Sequence, residues 1–235
     1  MEILFFLSAF VSEIIGTIAG FGSSTVFLPL ALIFFDFKTA LILVALFHIF
    51  GNLGRISFFK SGLDKRTLII FGIPSVVLTV AGALLVNFTP QDFLKGILGI
   101  FLIVYALLSL YKEDLKVKES LLTSIIGGGL SGFLAGLIGT GGALRGAFLT
   151  AFGLPKEKYI ATAAAIALAV DITRIPIYFA GGFLDSKFYF YIPFLFIVAL
   201  AGSFTGRQII KKVPQKTFKR IVLVAILAVG IKFLI

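Results

Sequence analysis

Cysteine is absent from the 235 residues, and histidine occurs once. The first absence excludes disulfides, thiolate metal sites and thiol catalysis, and the second excludes a multi-histidine metal centre. Charge is scarce as well: 14% of residues are charged, and only 11 are acidic. Soluble domains carry about 25% charged residues, so an ordinary soluble fold, a soluble enzyme core and intrinsic disorder are all excluded. Apolar residues fill the chain instead, at 59%, with a mean hydropathy of +1.12. At about 20 residues per span, this length allows about eight transmembrane helices joined by short loops.

The net charge of +10 would suggest nucleic acid in a soluble protein. Here the basic residues sit mostly in short loops between apolar runs, so membrane topology and anionic lipid explain them, and no nucleic-acid partner is expected. Met1-Glu2 runs straight into apolar residues without the basic stretch of a secretory signal, so this N-terminus is expected to belong to the mature protein.

Eight apolar runs follow one another: Ile3–Phe35, Ala40–Phe59, Leu68–Phe88, Phe93–Tyr111, Leu121–Leu154, Tyr159–Phe183, Phe188–Ile210 and Phe218–Ile235. The first and fifth are too long for one span, and glycine interrupts both. The clusters Gly20-Phe21-Gly22-Ser23-Ser24 and Gly139-Thr140-Gly141-Gly142 are denser than helix packing needs. They read as backbone breaks, each followed by about a dozen apolar residues, too few to cross a bilayer.

Ordered polar landmarks recur in the two halves. Arg55-Ile56 before Gly62 matches Arg174-Ile175 before Gly181, Ala81-Gly82 matches Ala201-Gly202, and Pro90-Gln91 matches Pro214-Gln215. The pattern predicts a duplication with a first membrane repeat over 1–111, a charged connection over 112–119 and a second membrane repeat over 120–235. If the broken runs cross the membrane once, basic residues divide eight against ten between the faces. If each is a re-entrant hairpin, fourteen lie on one face and four on the other. The positive-inside rule selects the hairpins. The expected fold is therefore all-α and polytopic. Each repeat is a broken hairpin plus three crossings, the repeats are inverted, and both termini lie outside.

Charged and polar side chains inside apolar spans are costly, and each is a functional candidate. They are Glu13, His48, Asn52, Arg55, Arg145, Asp171 and Arg174. Residues 48, 52 and 55 share one helix face, and at an offset of 119 Asn52 corresponds to Asp171 and Arg55 to Arg174. Plainer readings remain open at this point. Arg55 and Arg174 sit toward span ends and could snorkel to the interface. Asp171–Arg174 could be a structural ion pair, His48 a packing residue, and Glu13 a helix–helix contact. A helix that starts in mid-membrane exposes unpaired N–H groups and the positive end of its dipole. Gly22, Ser23, Ser24 and Thr25 at one break, and Gly139, Thr140, Gly141 and Gly142 at the other, would make an anion site if the two starts face each other. Arg145, in the first turn after the second break, is the leading anion contact, with Asn52, Arg55 and Arg174 beside it. Asp171, His48 and Glu13 are candidates for carrying a coupled proton. Neither glycine cluster is followed by Gly-Lys-Ser/Thr, so ATP-driven transport by this chain alone is not expected.

The run Gly136-Leu137-Ile138-Gly139-Thr140-Gly141-Gly142, the Gly153-Leu154-Pro155 that ends the segment, and Ala161-Thr162-Ala163 through Asp171 resemble the sulfite exporter TauE/SafE family, also called the sulfonate uptake permease type. Gly16-Thr17-Ile18-Ala19-Gly20-Phe21-Gly22 resembles a first copy of the motif, with Ser23-Ser24 where glycines stand later. The resemblance covers essentially the whole chain. It implies a multi-pass inner-membrane transporter of small sulfur-containing or organic anions, such as sulfite or sulfonates, rather than an enzyme. Proton coupling is the expected drive. A passive anion channel and a membrane subunit without transport of its own are the alternatives. No cofactor or metal is expected. The expected partners are a small anionic substrate and the bilayer, with a homodimer left open.

Overall fold

A computed structural model describes residues 2–19, 22–58, 62–111, 120–209 and 215–234, and their side chains except those of 151, 156, 157 and 215–219. Among these residues the chain is helical and has no strand. The helices are α1 (Glu2–Ala19), α2 (Ser24–Ala31), α3 (Phe37–Phe58), α4 (Lys65–Ile70), α5 (Gly72–Leu85), α6 (Gln91–Tyr111), α7 (Leu121–Ile138), α8 (Gly142–Ala151), α9 (Lys156–Ala180), α10 (Tyr191–Ile209) and α11 (Gln215–Lys232). Seven described stretches are long and apolar enough to cross a bilayer, namely α1, α3, α4 through α5, α6, α7, α9 and α10. The chain is a multi-pass membrane protein.

The connection 112–119 lies outside the described residues. So do Gly20 and Phe21 of the first glycine cluster, Pro214 of the repeat match, and Lys60, Lys211 and Lys212 of the charge count.

The two broken runs fold back on themselves. The Phe5 ring, near the start of α1, lies 5.8 Å from Phe34 and 5.0 Å from Phe35, just past the end of α2. In the second half, Ser131 of α7 donates to the Gly141 carbonyl at the start of α8 (2.8 Å). Gly127, earlier in α7, packs on Phe148, late in α8. Each long helix and the short helix after it therefore run antiparallel. The turns need glycine where the backbone enters the left-handed region: Gly22 has φ +89° and Gly139 φ +71°, a conformation costly for other residues. Gly139 ends α7 by donating its N–H to Ala135.

The third apolar run breaks in a way its composition did not suggest. Phe71 separates α4 from α5, because Pro74 cannot donate to the Ile70 carbonyl four residues back.

Helix α1 of the first hairpin packs on α10, and α7 of the second hairpin packs on α5; α3 packs on α9, and α6 on α11. At the α5–α7 crossing, Ser75 and Thr79 donate their hydroxyls to the Gly128 and Gly132 carbonyls, at 2.9 Å each. Each of those hydroxyls also donates to the carbonyl four residues back, of Phe71 and of Ser75, so its proton is shared between the two helices.

One end of the bundle joins the α2–α3 and α5–α6 turns, where Phe37 donates its N–H to Gln91 Oε1 (2.8 Å). At the opposite end, Asp64 links the α3–α4 loop to α9. Its amide donates to Thr162 Oγ1 (2.9 Å), and its carboxylate lies 3.5 Å from Lys158 Nζ. The same carboxylate caps α4 by accepting the Thr67 N–H (2.9 Å). That backbone bond holds the Asp64 carboxyl below the usual range, with Lys158 adding to the shift. Asp64→Ala should therefore cost about 1 kcal/mol at neutral pH. The stabilisation is complete above about pH 4 and is lost as pH falls through the lowered folded value. Thermal melts of the two proteins should converge in acid, and a gap that widens there would contradict the cap.

Candidate functional site

The two hairpin turns meet inside the bundle. Thr25 and Thr140 share a hydroxyl–hydroxyl hydrogen bond of 2.8 Å across them. The half-helices α2 and α8 both begin there, and neither takes a side-chain cap at its start. Two adjoining cavities lie between these starts and the α3–α9 crossing. Each is roughly the size of one water. Gly142 and Arg145 line both.

One polar network surrounds the cavities and joins both halves. Arg55 Nη2 donates to Glu13 Oε1 (2.6 Å) and Ser23 Oγ (3.1 Å), and Arg55 Nη1 to Asn52 Oδ1 (2.8 Å). Asn52 Nδ2 donates to Asp171 Oδ2 (3.2 Å). The same carboxylate oxygen lies 2.8 Å from His48 Nδ1. Asp171 Oδ1 accepts from Arg174 at Nε (2.9 Å) and pairs with Nη2 (2.7 Å). Arg174 Nη1 donates to the Ala135 carbonyl beneath the second turn (2.6 Å). Asn52 and Asp171, matched by the sequence offset, thus touch where α3 crosses α9.

The arginines are not snorkelling. Arg55 is 5% exposed, Arg145 4% and Arg174 1%, and two of them are satisfied inside the bundle by carboxylates. Leaving a buried charge unpaired costs several kcal/mol, so the ion pairs are what allow Arg55 and Arg174 to stay inside. Arg145 differs. Among the described residues its guanidinium has no hydrogen-bond or ion-pair partner, although it lines both cavities. His48 Nε2 is likewise buried without a partner, and it sits against Gly22 at the first turn.

The remaining candidates fall around this centre. Gly22 lines the first cavity, while Ser24, Gly139 and Gly141 line the second. Ser23 meets Arg55, and Thr25 and Thr140 bond each other and hold the turns together. Glu13 stands behind Arg55, away from the lining, wedged between Gly51 of α3 and Gly202 of α10. Three participants were not among the expected site residues. Ser203 donates to Glu13 Oε1 (2.6 Å), Thr17 lines the first cavity, and Tyr178 donates to the Gly136 carbonyl (2.5 Å).

A protein-family model described as sulfite exporter TauE/SafE matches residues 4–233. The chain belongs to the sulfite exporter TauE/SafE family. It is also similar to a protein of Methanocaldococcus jannaschii described as a probable membrane transporter. The two are 28% identical over 249 aligned positions, covering 96% of this chain and 92% of the relative. A TauE/SafE protein with apolar helices around an interior polar network is a membrane transporter, and a lipid bilayer and a small substrate are its partners.

Proposed function

We propose that this TauE/SafE protein is a secondary transporter of small sulfur-containing or organic anions of the sulfite and sulfonate type, coupled to protons and placed in the cell's inner membrane. The observation that carries the anion reading is Arg145, a buried guanidinium with no hydrogen bond or ion pair among the described residues, beside the uncapped starts of two half-helices. A buried positive charge left open beside free N–H groups and a helix dipole is a site for an oxyanion. Arg55, Arg174 and Asn52 hold the walls of that site, and the Ser23, Ser24, Thr25 and Thr140 hydroxyls supply further contacts. Asp171, His48 and Glu13 are the groups through which a proton would be coupled.

The reciprocal packing of α1 on α10 and α7 on α5, with α3 on α9, supports reading 1–111 and 120–235 as inverted repeats around this site. The folded-back hairpins leave three crossings per half, so both termini lie on one side. The cavities are too small for a tetrahedral oxyanion until the hairpin turns part, which favours a carrier over an open channel.

Reconstituted vesicles test the reading. Sulfite or a small sulfonate should enter at a rate that saturates and responds to a pH gradient. Arg145→Ala should raise the apparent KM about tenfold to a hundredfold, the loss of one or more charge-assisted hydrogen bonds. Its melting temperature should hold or rise, since the substitution removes an uncompensated buried charge. Wild-type flux without saturation would point to a channel, and unchanged KM in the variant would remove Arg145 from the site.

A further inference from the structure

The ionisable groups buried around the cavities do not balance. Arg55 is paired with Glu13 (2.6 Å) and Arg174 with Asp171 (2.7 Å). Arg145 has no partner among the described residues, and both Asp171 oxygens are already engaged by His48, Asn52 and Arg174. With His48 neutral, the buried site carries one net positive charge.

His48 decides whether that number can change. Its Nδ1 lies 2.8 Å from a carboxylate oxygen. That oxygen can only accept, so Nδ1 carries the proton and the neutral ring presents a bare lone pair at Nε2. Nε2 is the atom left without a partner, and it faces Gly22 and the cavity. A lone pair there repels an anion, whereas a proton there makes a charged donor.

Among the described residues, the charged groups around His48 are Asp171 and Arg174 from α9, Arg145 from α8, and Arg55 with the polar Asn52 from α3 itself. Glu13 of α1 is reached through Arg55, and the Ser24 hydroxyl of α2 lines the same cavity. Of the three candidates for carrying a proton, Glu13 and Asp171 are each paired with an arginine, whereas His48 lines the cavity with an unpartnered Nε2, so the proton goes to His48.

We propose that the site is charge-matched to one negative charge. It takes a monoanionic oxyanion of the sulfonate or hydrogensulfite class while His48 is neutral, and a dianion only together with a proton from solution on His48 Nε2. This rests on the anion-site reading above and adds its charge stoichiometry: a monoanion enters alone, and a dianion enters with one proton.

Two inert tetrahedral anions test it, methanesulfonate with one charge and sulfate with two, titrated calorimetrically into the purified full chain. At about pH 8, where an ordinary histidine is neutral, methanesulfonate should bind at least about tenfold tighter than sulfate. At about pH 5.5 the gap should close through tighter sulfate binding. In His48→Gln the gap should be the same at both pH values. Should that variant not fold, wild-type titrations in buffers of different ionisation heat count the protons directly. About one should be taken up with sulfate and none with methanesulfonate near neutral pH. Equal affinity for the two anions at the higher pH overturns the proposal, as does a pH-dependent gap that survives in His48→Gln or sulfate binding without proton uptake. If neither anion binds the wild type at any pH, the anion-site reading itself fails and takes this inference with it.

Discussion

Replacing Asp171 with alanine should lower stability by about 3–5 kcal/mol, the cost of breaking a buried ion pair from one side. Asp171 holds Arg174 by two contacts and gathers His48 and Asn52 on its other oxygen. Without it, Arg174 loses its ion pair, and Arg145 has no ion pair among the described residues to begin with. The detergent-solubilised variant should melt far below the wild type and should not transport. Asp171→Asn should lose less stability, since the amide preserves part of the hydrogen bonding. Combining Asp171→Ala with Arg174→Met removes both charges and should recover much of the lost stability, because an apolar pair of similar volume replaces a charged one. A double variant that melts no higher than Asp171→Ala would show that the unpaired guanidinium is not the cause.

Gly132→Ala should be nearly as damaging, for a steric reason. A Cβ built on Gly132 would lie within 1.9 Å of the Ser75 carbonyl oxygen, which belongs to the α5 backbone and cannot turn away. The helices would have to separate, loosening the Thr79 to Gly132 bond along with the Ser75 to Gly128 bond. Overpacking of this kind costs about 3 kcal/mol, and more where backbone must move. Gly96→Ala in α6 is the control. Nothing lies within 4 Å of its added Cβ, and its φ is not positive, so its melting temperature should be little changed. Equal effects at the two glycines would mean that helix propensity, and not the α5–α7 approach, controls the outcome.

Part of the difference between Gly96 and Gly132 is visible in the sequence, because Gly132 belongs to a spacing of glycine at every fourth residue (Gly128, Gly132, Gly136), the pattern of close helix packing, and Gly96 does not. Which backbone Gly132 meets is set by the neighbouring helix. The six buried ionisable residues are similar in this respect. Their cost in a bilayer is a local property, so reading along the chain finds all of them. The offset of 119 also put Asn52 opposite Asp171 in the sequence, and the two side chains touch in the structure. Thr17, Ser203 and Tyr178 gave no such signal. Hydroxyls are cheap enough in a membrane helix to occur anywhere, and their roles come from the carboxylate or carbonyl they meet across a helix crossing.

Membrane residence, the placement of the apolar runs and the two breaks at glycine were legible along the chain. These follow from apolar length, from the cost of buried charge and from the few residues that accept a positive φ, all properties of short stretches. How the charges pair was not legible there. Glu13 meets Arg55 across forty-two positions of chain, and Thr25 meets Thr140 across one hundred and fifteen. Those meetings depend on how the hairpins fold back and how α3 crosses α9, geometry set by the packing of many residues at once. That packing satisfies two of three buried arginines, leaves Arg145 open beside the half-helix starts, and turns one bare nitrogen of His48 toward the same space.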